Sequence, residues 1–248
     1  RKLFCLYKIV FFKLSTDLAV LDGGGFAVTW TSNTDSFANQ VFAKVFDVNG
    51  AVVRDSIEVN QTPYGEQGNS SVVGLEGGGF VAIWGSTYDL DGSGGNDLGG
   101  QLFDAAGNKM GNEFVVHPDS SASQNQAFPK VAALDGGGFV VAWLDHGSGL
   151  WIKKFDSSGN PGDAVKTHSS SSYYIDTDEA PITLSSLEDG GFIVTWVTDN
   201  SFDGDSGKGI YGQRYDVNGN AIGGEFRVNT QTSSDQEAPE VVGLENGG

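Results

Sequence analysis

The sequence predicts an all-β fold, a β-propeller of about four four-stranded blades with essentially no helix. A ten-residue segment recurs with the pattern Leu-acid-x-Gly-Gly-Phe-x-x-x-Trp at residues 21–30, 75–84, 134–143 and 187–196, and a fifth copy begins at residue 244. Its Phe residues lie 54, 59 and 53 positions apart, a period that suits a propeller blade better than a helical or leucine-rich solenoid. No stretch combines helical periodicity with capping residues.

Each unit contains four short runs that are rich in β-branched and aromatic residues, which we label strands a to d. Strand a is apolar, as at residues 72–75, and strand b is the Phe-x-x-x-Trp segment. Strands c are predicted at residues 41–46, 98–103, 150–155 and 210–215, and strands d at 57–60, 114–117, 164–167 and 226–229. Either the chain belongs to a longer array, or its last strand closes or extends a four-bladed ring.

The predicted organisation is a repeat array preceded by an atypical segment. The units cover residues 13–60, 67–117, 126–168 and 179–229, and residues 236–248 open a fifth. Residues 1–12 combine basic side chains with an apolar run around Cys5, which resembles an export signal interrupted by Lys8 but fits an additional strand or a fragment boundary better.

The turns between the strands have a physical explanation. Asp-Gly-Gly or Glu-Gly-Gly between strands a and b supplies the positive φ that a tight hairpin requires. Between strands c and d, Asp47 and Asp216 place an Asx side chain before a left-handed glycine, Gly50 or Gly219. Much of the excess of glycine, 37 of 248 residues, is therefore turn chemistry.

Composition argues against several classes of function. The 32 acidic residues outnumber the 14 basic ones and give a net charge of −18. Such a chain is a poor partner for nucleic acid or for an anionic membrane, because phosphate binding needs clustered Lys and Arg. With 38% hydrophobic residues a core can form, and the single cysteine, Cys5, excludes an intramolecular disulfide framework.

One loop has the spacing of a calcium site. The b–c and d–a loops share the variable end of the blades, where binding residues usually lie. In the second unit, oxygen-bearing residues stand at relative positions 1, 3, 5 and 9, with a glycine carbonyl at position 7; they are Asp89, Asp91, Ser93, Asp97 and Gly95. Ca²⁺ prefers six to eight such oxygens, so we expect calcium here, although an acidic surface loop is the simpler alternative.

The fourth unit has a loop of the same length with a weaker version of this pattern. Its candidate ligands are Asp199, Ser201, Asp203 and Asp205, and no acid stands at position 9. Units one and three lack the pattern, since Asp35 and Asp145 stand alone there. If metal binds, it therefore binds to alternate blades.

Residues 189–196, 209–216 and 223–229 resemble repeats in large secreted bacterial proteins, the RTX or haemolysin-type calcium-binding proteins and adhesins. Separately, residues 89–97 are similar to the calcium loop of FG-GAP propeller repeats, with Ser93 in place of an Asp or Asn. The resemblance implies an extracellular or cell-surface location. The Gly-Gly-x-Gly-x-Asp array that names the RTX family is absent, so calcium-driven β-roll folding is not implied.

The aromatic residues that do not belong to the repeat are candidates for stacking on sugars: Tyr88, Trp151, Tyr173 and Tyr174. The four repeated Trp residues fit core packing better. His117, His146 and His168 stand in unrelated contexts without a catalytic motif, and no carboxylate pair can be singled out in so acidic a chain. No catalytic residue is therefore predicted.

Together these patterns predict a secreted, calcium-binding, non-catalytic propeller module for adhesion or for recognition of glycans or cell-surface proteins. The alternatives are a structural repeat of a giant extracellular protein without a specific ligand and a secreted polysaccharide-acting hydrolase.

Overall fold

The computed structural model describes residues 15–35, 38–118, 125–145, 148–168, 182–198 and 207–244, and all sixteen elements in them are β-strands. Blade 1 contains β1 (Thr16–Val20), β2 (Phe26–Asp35), β3 (Ala38–Phe46) and β4 (Val52–Glu58). Blade 2 contains β5 (Gln67–Gly74), β6 (Phe80–Ser86), β7 (Asp97–Phe103) and β8 (Lys109–Val115). Blade 3 contains β9 (Gln126–Ala133), β10 (Phe139–Asp145), β11 (Gly149–Phe155) and β12 (Pro161–His168), and blade 4 contains β13 (Ile182–Ser186), β14 (Phe192–Thr198), β15 (Gly209–Tyr215) and β16 (Ala221–Arg227).

Each blade is an antiparallel meander whose strands lie in chain order. The a–b turn closes with backbone hydrogen bonds of one kind in every blade, from the N–H of Leu21, Leu75, Leu134 and Leu187 to the carbonyl four residues later. Two or three glycines make this tight reversal possible, and Gly77 and Gly78 both have φ of +89°. The predicted all-β propeller fold is confirmed.

The four strands of a blade run from the inside of the array to its surface. The first strands β1, β5, β9 and β13 contact one another in succession, and β5 also packs across β2 and β3 of the preceding blade. The last strands β4, β8, β12 and β16 are mostly exposed. The described part of the chain includes no helix long and apolar enough to cross a membrane.

Consecutive blades meet through two different faces. One blade offers small and β-branched side chains, such as Ala27 and Ala43, and the next blade covers them with large aromatic ones, such as Phe80 and Trp84. Three buried clusters of this kind join blades 1 and 2, blades 2 and 3, and blades 3 and 4. Trp84, Trp143 and Trp196 are fully buried in them, which explains why an aromatic recurs at this position.

Polar contacts between turns reinforce the blade junctions. The Asp22 carboxylate of one a–b turn accepts a hydrogen bond from the Gly77 N–H of the next turn (3.2 Å), and Glu76 accepts one from the Gly136 N–H (3.0 Å). The acid in the Leu-acid-Gly-Gly repeat therefore links neighbouring blades, which accounts for part of the negative charge.

We predict that Gly74→Ala destabilises the protein by about 1–3 kcal/mol, the usual range for overpacking. A Cβ on Gly74 would overlap the Val20 carbonyl oxygen of the preceding blade, whereas a Cβ on the exposed Gly224 would meet nothing within 4 Å. Urea unfolding of Gly74→Ala and of Gly224→Ala as the matched control measures the difference. Equal effects of the two substitutions would contradict this account of blade packing.

Candidate functional site

The loop between β6 and β7 brings together three of the predicted calcium ligands. One carboxylate oxygen each from Asp89, Asp91 and Asp97 lies within 4.8 Å of the others. The loop holds this arrangement with its own backbone: Asp89 accepts hydrogen bonds from the Gly92 N–H (2.6 Å) and the Gly94 N–H (3.0 Å), and Asp91 accepts one from the Ser93 N–H (2.8 Å). These Asx-type bonds fold the chain around the carboxylates.

Asp97 is the buried member of the triad. Its side chain is fully inaccessible, and its Oδ2 accepts a hydrogen bond from the Leu90 N–H (2.5 Å), whereas its buried Oδ1 has no hydrogen-bond partner among the described residues. Burial raises the pKa of Asp97 to about 6. The hydrogen bond from the Leu90 N–H lowers this pKa, and the charges of Asp91 and Asp89 raise it by smaller amounts. A buried carboxylate oxygen without a donor beside two further carboxylates fits a hard cation.

The other predicted ligands are not part of this cluster. The Ser93 hydroxyl donates to the neighbouring Gly94 carbonyl at 3.4 Å, and Gly95 adopts a φ of +105° within the loop. The predicted ligands of the fourth unit, Asp199, Ser201, Asp203 and Asp205, lie outside the described residues, as do the candidate sugar-stacking residues Tyr173 and Tyr174.

An exposed aromatic pair lies beside the triad. Tyr88, a predicted stacking residue, precedes Asp89 directly, and its ring lies 5.5 Å from the ring of Tyr64. Both side chains are exposed, at 42% and 64%. The pair offers an aromatic surface at the variable end of blade 2.

Blade 3 contributes one buried carboxylate, Asp145, which stands alone in the sequence of its loop. Asp145 ends β10 and is 3% exposed, and its Oδ2 accepts a hydrogen bond from the Ser148 hydroxyl at 2.7 Å. That hydroxyl accepts a hydrogen bond from the Trp151 Nε1–H at 2.8 Å. Two residues after the repeated Trp, the other blades have a hydroxyl residue: Ser32, Ser86 and Thr198. The acid is thus a departure from the repeat.

His117 is within electrostatic reach of a carboxylate from each acidic group, Asp91 and Asp145. Its ring stacks on Trp151 at 5.8 Å and lies 5.4 Å from the ring of Trp143. Burial, followed by the charge of Lys153, lowers the pKa of His117, while the charges of Asp145 and Asp91 act in the opposite direction. His117 occupies the position of Asn60 and Asn229, whose side-chain oxygens accept hydrogen bonds from the Val41 and Ile210 N–H groups of the third strand in their own blades. Comparison of the repeats in the sequence would have identified His117 as a candidate functional residue.

Comparison with known proteins gives structural matches only. No protein-family model matches the chain, and neither does any curated protein. A GH43 endo-arabinanase from Bacillus licheniformis is 14% identical with a TM-score of 0.50, over 89% of this chain and 81% of its own. A Bacteroides caccae protein of unknown function is 13% identical with a TM-score of 0.50, over 86% of this chain and 60% of its own.

An α-L-arabinofuranosidase from Podospora anserina is 10% identical with a TM-score of 0.49, over 85% of this chain and 66% of its own. The chain thus spans less than two thirds of the length of this protein and of the Bacteroides caccae protein. At these identities the likeness shows the fold, which is that of propeller proteins that include glycoside hydrolases.

These matches correct two predictions from the sequence. The prediction of a non-catalytic module for adhesion or recognition is wrong by this comparison, and so is the prediction that the chain is not an enzyme, because the endo-arabinanase that shares this fold is a hydrolase. The prediction of a non-catalytic protein failed because it relied on the lack of catalytic motifs along the sequence. A propeller can assemble an acid site from strand ends of different blades, and such a site leaves no motif along the chain.

We predict that Asp97→Asn stabilises the protein at pH 7 in the presence of EDTA by on the order of 2 kcal/mol. Because the folded-state pKa of about 6 exceeds the ordinary value of 3.8, ionisation of Asp97 removes stability as the pH rises from about 4 to 6. Asparagine does not ionise and so avoids that loss. The difference in the free energy of unfolding between variant and wild type therefore shrinks towards pH 4.

Urea unfolding between pH 4 and 8 measures this effect, with Glu58→Gln, an exposed carboxyl on β4, as the control. A constant difference across this pH range would show that the Asp97 carboxyl does not titrate as a buried group.

Proposed function

We propose that this chain is a polysaccharide-acting glycoside hydrolase domain whose site lies at the variable end of blades 2 and 3. The observation that carries the proposal is the Asp145 carboxyl, which is buried, held by Ser148 and adjacent to the stacked rings of His117 and Trp151. The propeller fold shared with the endo-arabinanase supports the reaction class. An extracellular or cell-surface location rests on the resemblance to repeats of large secreted proteins.

The rings and the charge together favour a neutral polysaccharide. Aromatic faces such as those of Trp151 and the Tyr64–Tyr88 pair offer flat apolar surfaces on which a sugar ring can stack. A net charge of −18 repels polymers that carry uronate or sulfate groups. Arabinan is the first substrate to test, because the matched Bacillus licheniformis enzyme is named for it.

Glycoside hydrolysis needs two carboxyl groups in different protonation states. Asp145 is the proposed proton donor, because its carboxyl is buried and accepts a hydrogen bond from the Ser148 hydroxyl beside the rings of His117 and Trp151. Asp91 is the proposed base. It accepts a backbone hydrogen bond, and its charge acts on His117 from blade 2 as the charge of Asp145 does from blade 3. Asp145 protonates the glycosidic oxygen, the bond from the anomeric carbon to that oxygen breaks, and water adds to that carbon while its proton passes to Asp91.

We predict that Asp145→Asn lowers kcat on debranched arabinan by at least about 100-fold, the usual contribution of general acid catalysis. Trp151→Ala should instead raise KM. The matched control is Phe42→Ala, because Phe42 faces Trp30 in blade 1 as Trp151 faces Trp143 in blade 3. Reducing-sugar release measures both effects. Absence of turnover on neutral polysaccharides by the wild type, or full activity of Asp145→Asn, would contradict the proposal.

A second candidate role for the triad is a calcium site, which the unpartnered Oδ1 of Asp97 favours. Asp89, Asp91 and Asp97 would hold the ion, and their all-oxygen donor set suits calcium. The ion would neutralise and order the β6–β7 loop. Since a coordinated Asp91 cannot act as a base, calcium should inhibit hydrolysis if Asp91 is the base and leave it unchanged or raised if the triad is purely structural.

We predict that saturating Ca²⁺ raises Tm by about 5–10 °C at a hundredfold excess over Kd. Asp91→Ala should lose most of this rise, whereas Asp145→Asn should keep it, because Asp145 is not part of the triad. Differential scanning calorimetry in EDTA and in CaCl₂ makes the comparison. An unchanged Tm in wild-type protein would remove the calcium role and leave the carboxylates free for catalysis.

A further inference from the structure

Two buried side chains of blade 3 hold the backbone on both sides of the His117 ring. The Lys153 ammonium of β11 donates a hydrogen bond to the Val116 carbonyl oxygen at 3.0 Å. The Gln126 amide of β9 donates one to the His117 carbonyl oxygen at 2.6 Å. Lys153 is 7% exposed and Gln126 is fully inaccessible. The peptide units before and after the His117 Cα are therefore both bound to blade 3, although His117 belongs to the chain of blade 2.

The residues at the equivalent position of blades 1 and 4 are anchored differently. Asn60 and Asn229 each accept, through the side-chain oxygen, a hydrogen bond from a backbone N–H of the third strand of their own blade. The His117 ring instead lies against the indole rings of Trp143 and Trp151 in blade 3. The position of this ring therefore depends on contacts with the neighbouring blade.

Comparison of the repeats shows that Lys153 binds differently from its counterparts. Two residues before the last aromatic of strand c, the four blades have Lys44, Gln101, Lys153 and Gln213. The amide groups of Gln101 and Gln213 donate to backbone carbonyls of their own blades. Lys44 pairs with Asp55 of its own blade at 2.8 Å. Of these four side chains, Lys153 alone donates a hydrogen bond across a blade junction within the part of the chain that the structure describes.

A buried ammonium group is costly at this junction, because it is removed from water. Burial lowers the pKa of Lys153, and the charge of Asp163 acts in the opposite direction. The charge of Lys153 in turn adds to the effect of burial in lowering the pKa of His117, against the charges of Asp145 and Asp91. Blades 2 and 4 fill the same position with an uncharged glutamine, so the fold alone does not require a lysine there.

We propose that Lys153 is a positioning residue, which together with Gln126 fixes the His117 ring against Trp151. The Trp151 Nε1–H donates to the Ser148 hydroxyl, which donates to the Asp145 carboxylate, so the position of the ring bears on the proposed proton donor. A misplacement of about 1 Å can lower the rate of an enzyme by about 100-fold. The effect on activity rests on the proposed hydrolytic function, whereas the effect on the ring does not.

The test compares three variants of the whole chain. Lys153→Gln introduces the residue that blades 2 and 4 have at this position, so blade 3 should still fold while the bond to the Val116 carbonyl is lost. Lys153→Arg keeps the charge and the donor, and Lys44→Gln is the matched control in blade 1. NMR of the His117 imidazole, assigned with His117→Gln, reports the position of the ring through the ring currents of the indoles, and its titration gives the pKa.

We expect Lys153→Gln to move the ring-proton shifts of His117 and to raise its pKa, because a nearby positive charge is removed. The kcat on debranched arabinan should fall by about tenfold to a hundredfold. Lys153→Arg should restore most of the wild-type shifts and activity, and Lys44→Gln should change none of these quantities.

Identical His117 shifts and pKa in Lys153→Gln and wild type would overturn the proposal, whatever the activity. Altered His117 signals with full activity of Lys153→Gln would also overturn it, because the ring would then move without consequence for the site. If the wild type shows no turnover, the proposed hydrolytic function fails, and the NMR comparison alone decides whether Lys153 positions His117.

Discussion

The packing of an aromatic blade face against a face of small and β-branched residues is the interaction on which the rest of this structure depends. It recurs at three junctions, and each buries a Trp completely together with the Phe that stacks on an aromatic of the neighbouring strand at 4.6–4.9 Å. Burial of one large apolar side chain contributes about 1.5–3 kcal/mol, so each junction contributes far more than the exposed ion pairs do. The close crossing at Gly74 and the acid–glycine bonds between turns then fix how one blade sits on the next. Because this geometry repeats, every b–c loop emerges at the same end of the array.

The repeat also serves as an internal reference for function. A residue that supports the fold recurs at its position, whereas Asp97 and Asp145 each replace a different residue type at the corresponding position of the other blades, and His117 stands where blades 1 and 4 have Asn60 and Asn229. All three departures lie at the variable end of blades 2 and 3. The cost of burying carboxyl groups there, visible in the raised pKa of Asp97, is the kind of local destabilisation that binding and catalytic sites carry.

The sequence predicts the fold well because its signals are local: glycine turns, alternating apolar runs and an aromatic at a fixed position within each unit. The acidic triad is also predictable, since Asp89, Asp91 and Asp97 belong to one short loop whose spacing is visible in the chain. The group formed by His117, Asp145 and Trp151 could not be predicted in the same way. Its members lie two residues after β8, at the end of β10 and in β11, and only the junction between blades 2 and 3 brings the imidazole against the indole. Trp151 was identified as a candidate without its partners, and the lack of a linear catalytic motif led to the wrong prediction of a protein without enzymatic activity.

The central claim is that acids from two blades converge on one site around His117. The most direct test is an NMR titration of the His117 imidazole in wild-type protein, in Asp145→Asn and in Asp91→Asn, with His117→Gln used to assign the signal. The account predicts a pKa below the ordinary 6.5 in the wild type and a further decrease in each variant, because both carboxylates favour the charged imidazole. A His117 pKa that neither substitution changes would contradict a shared site between blades 2 and 3.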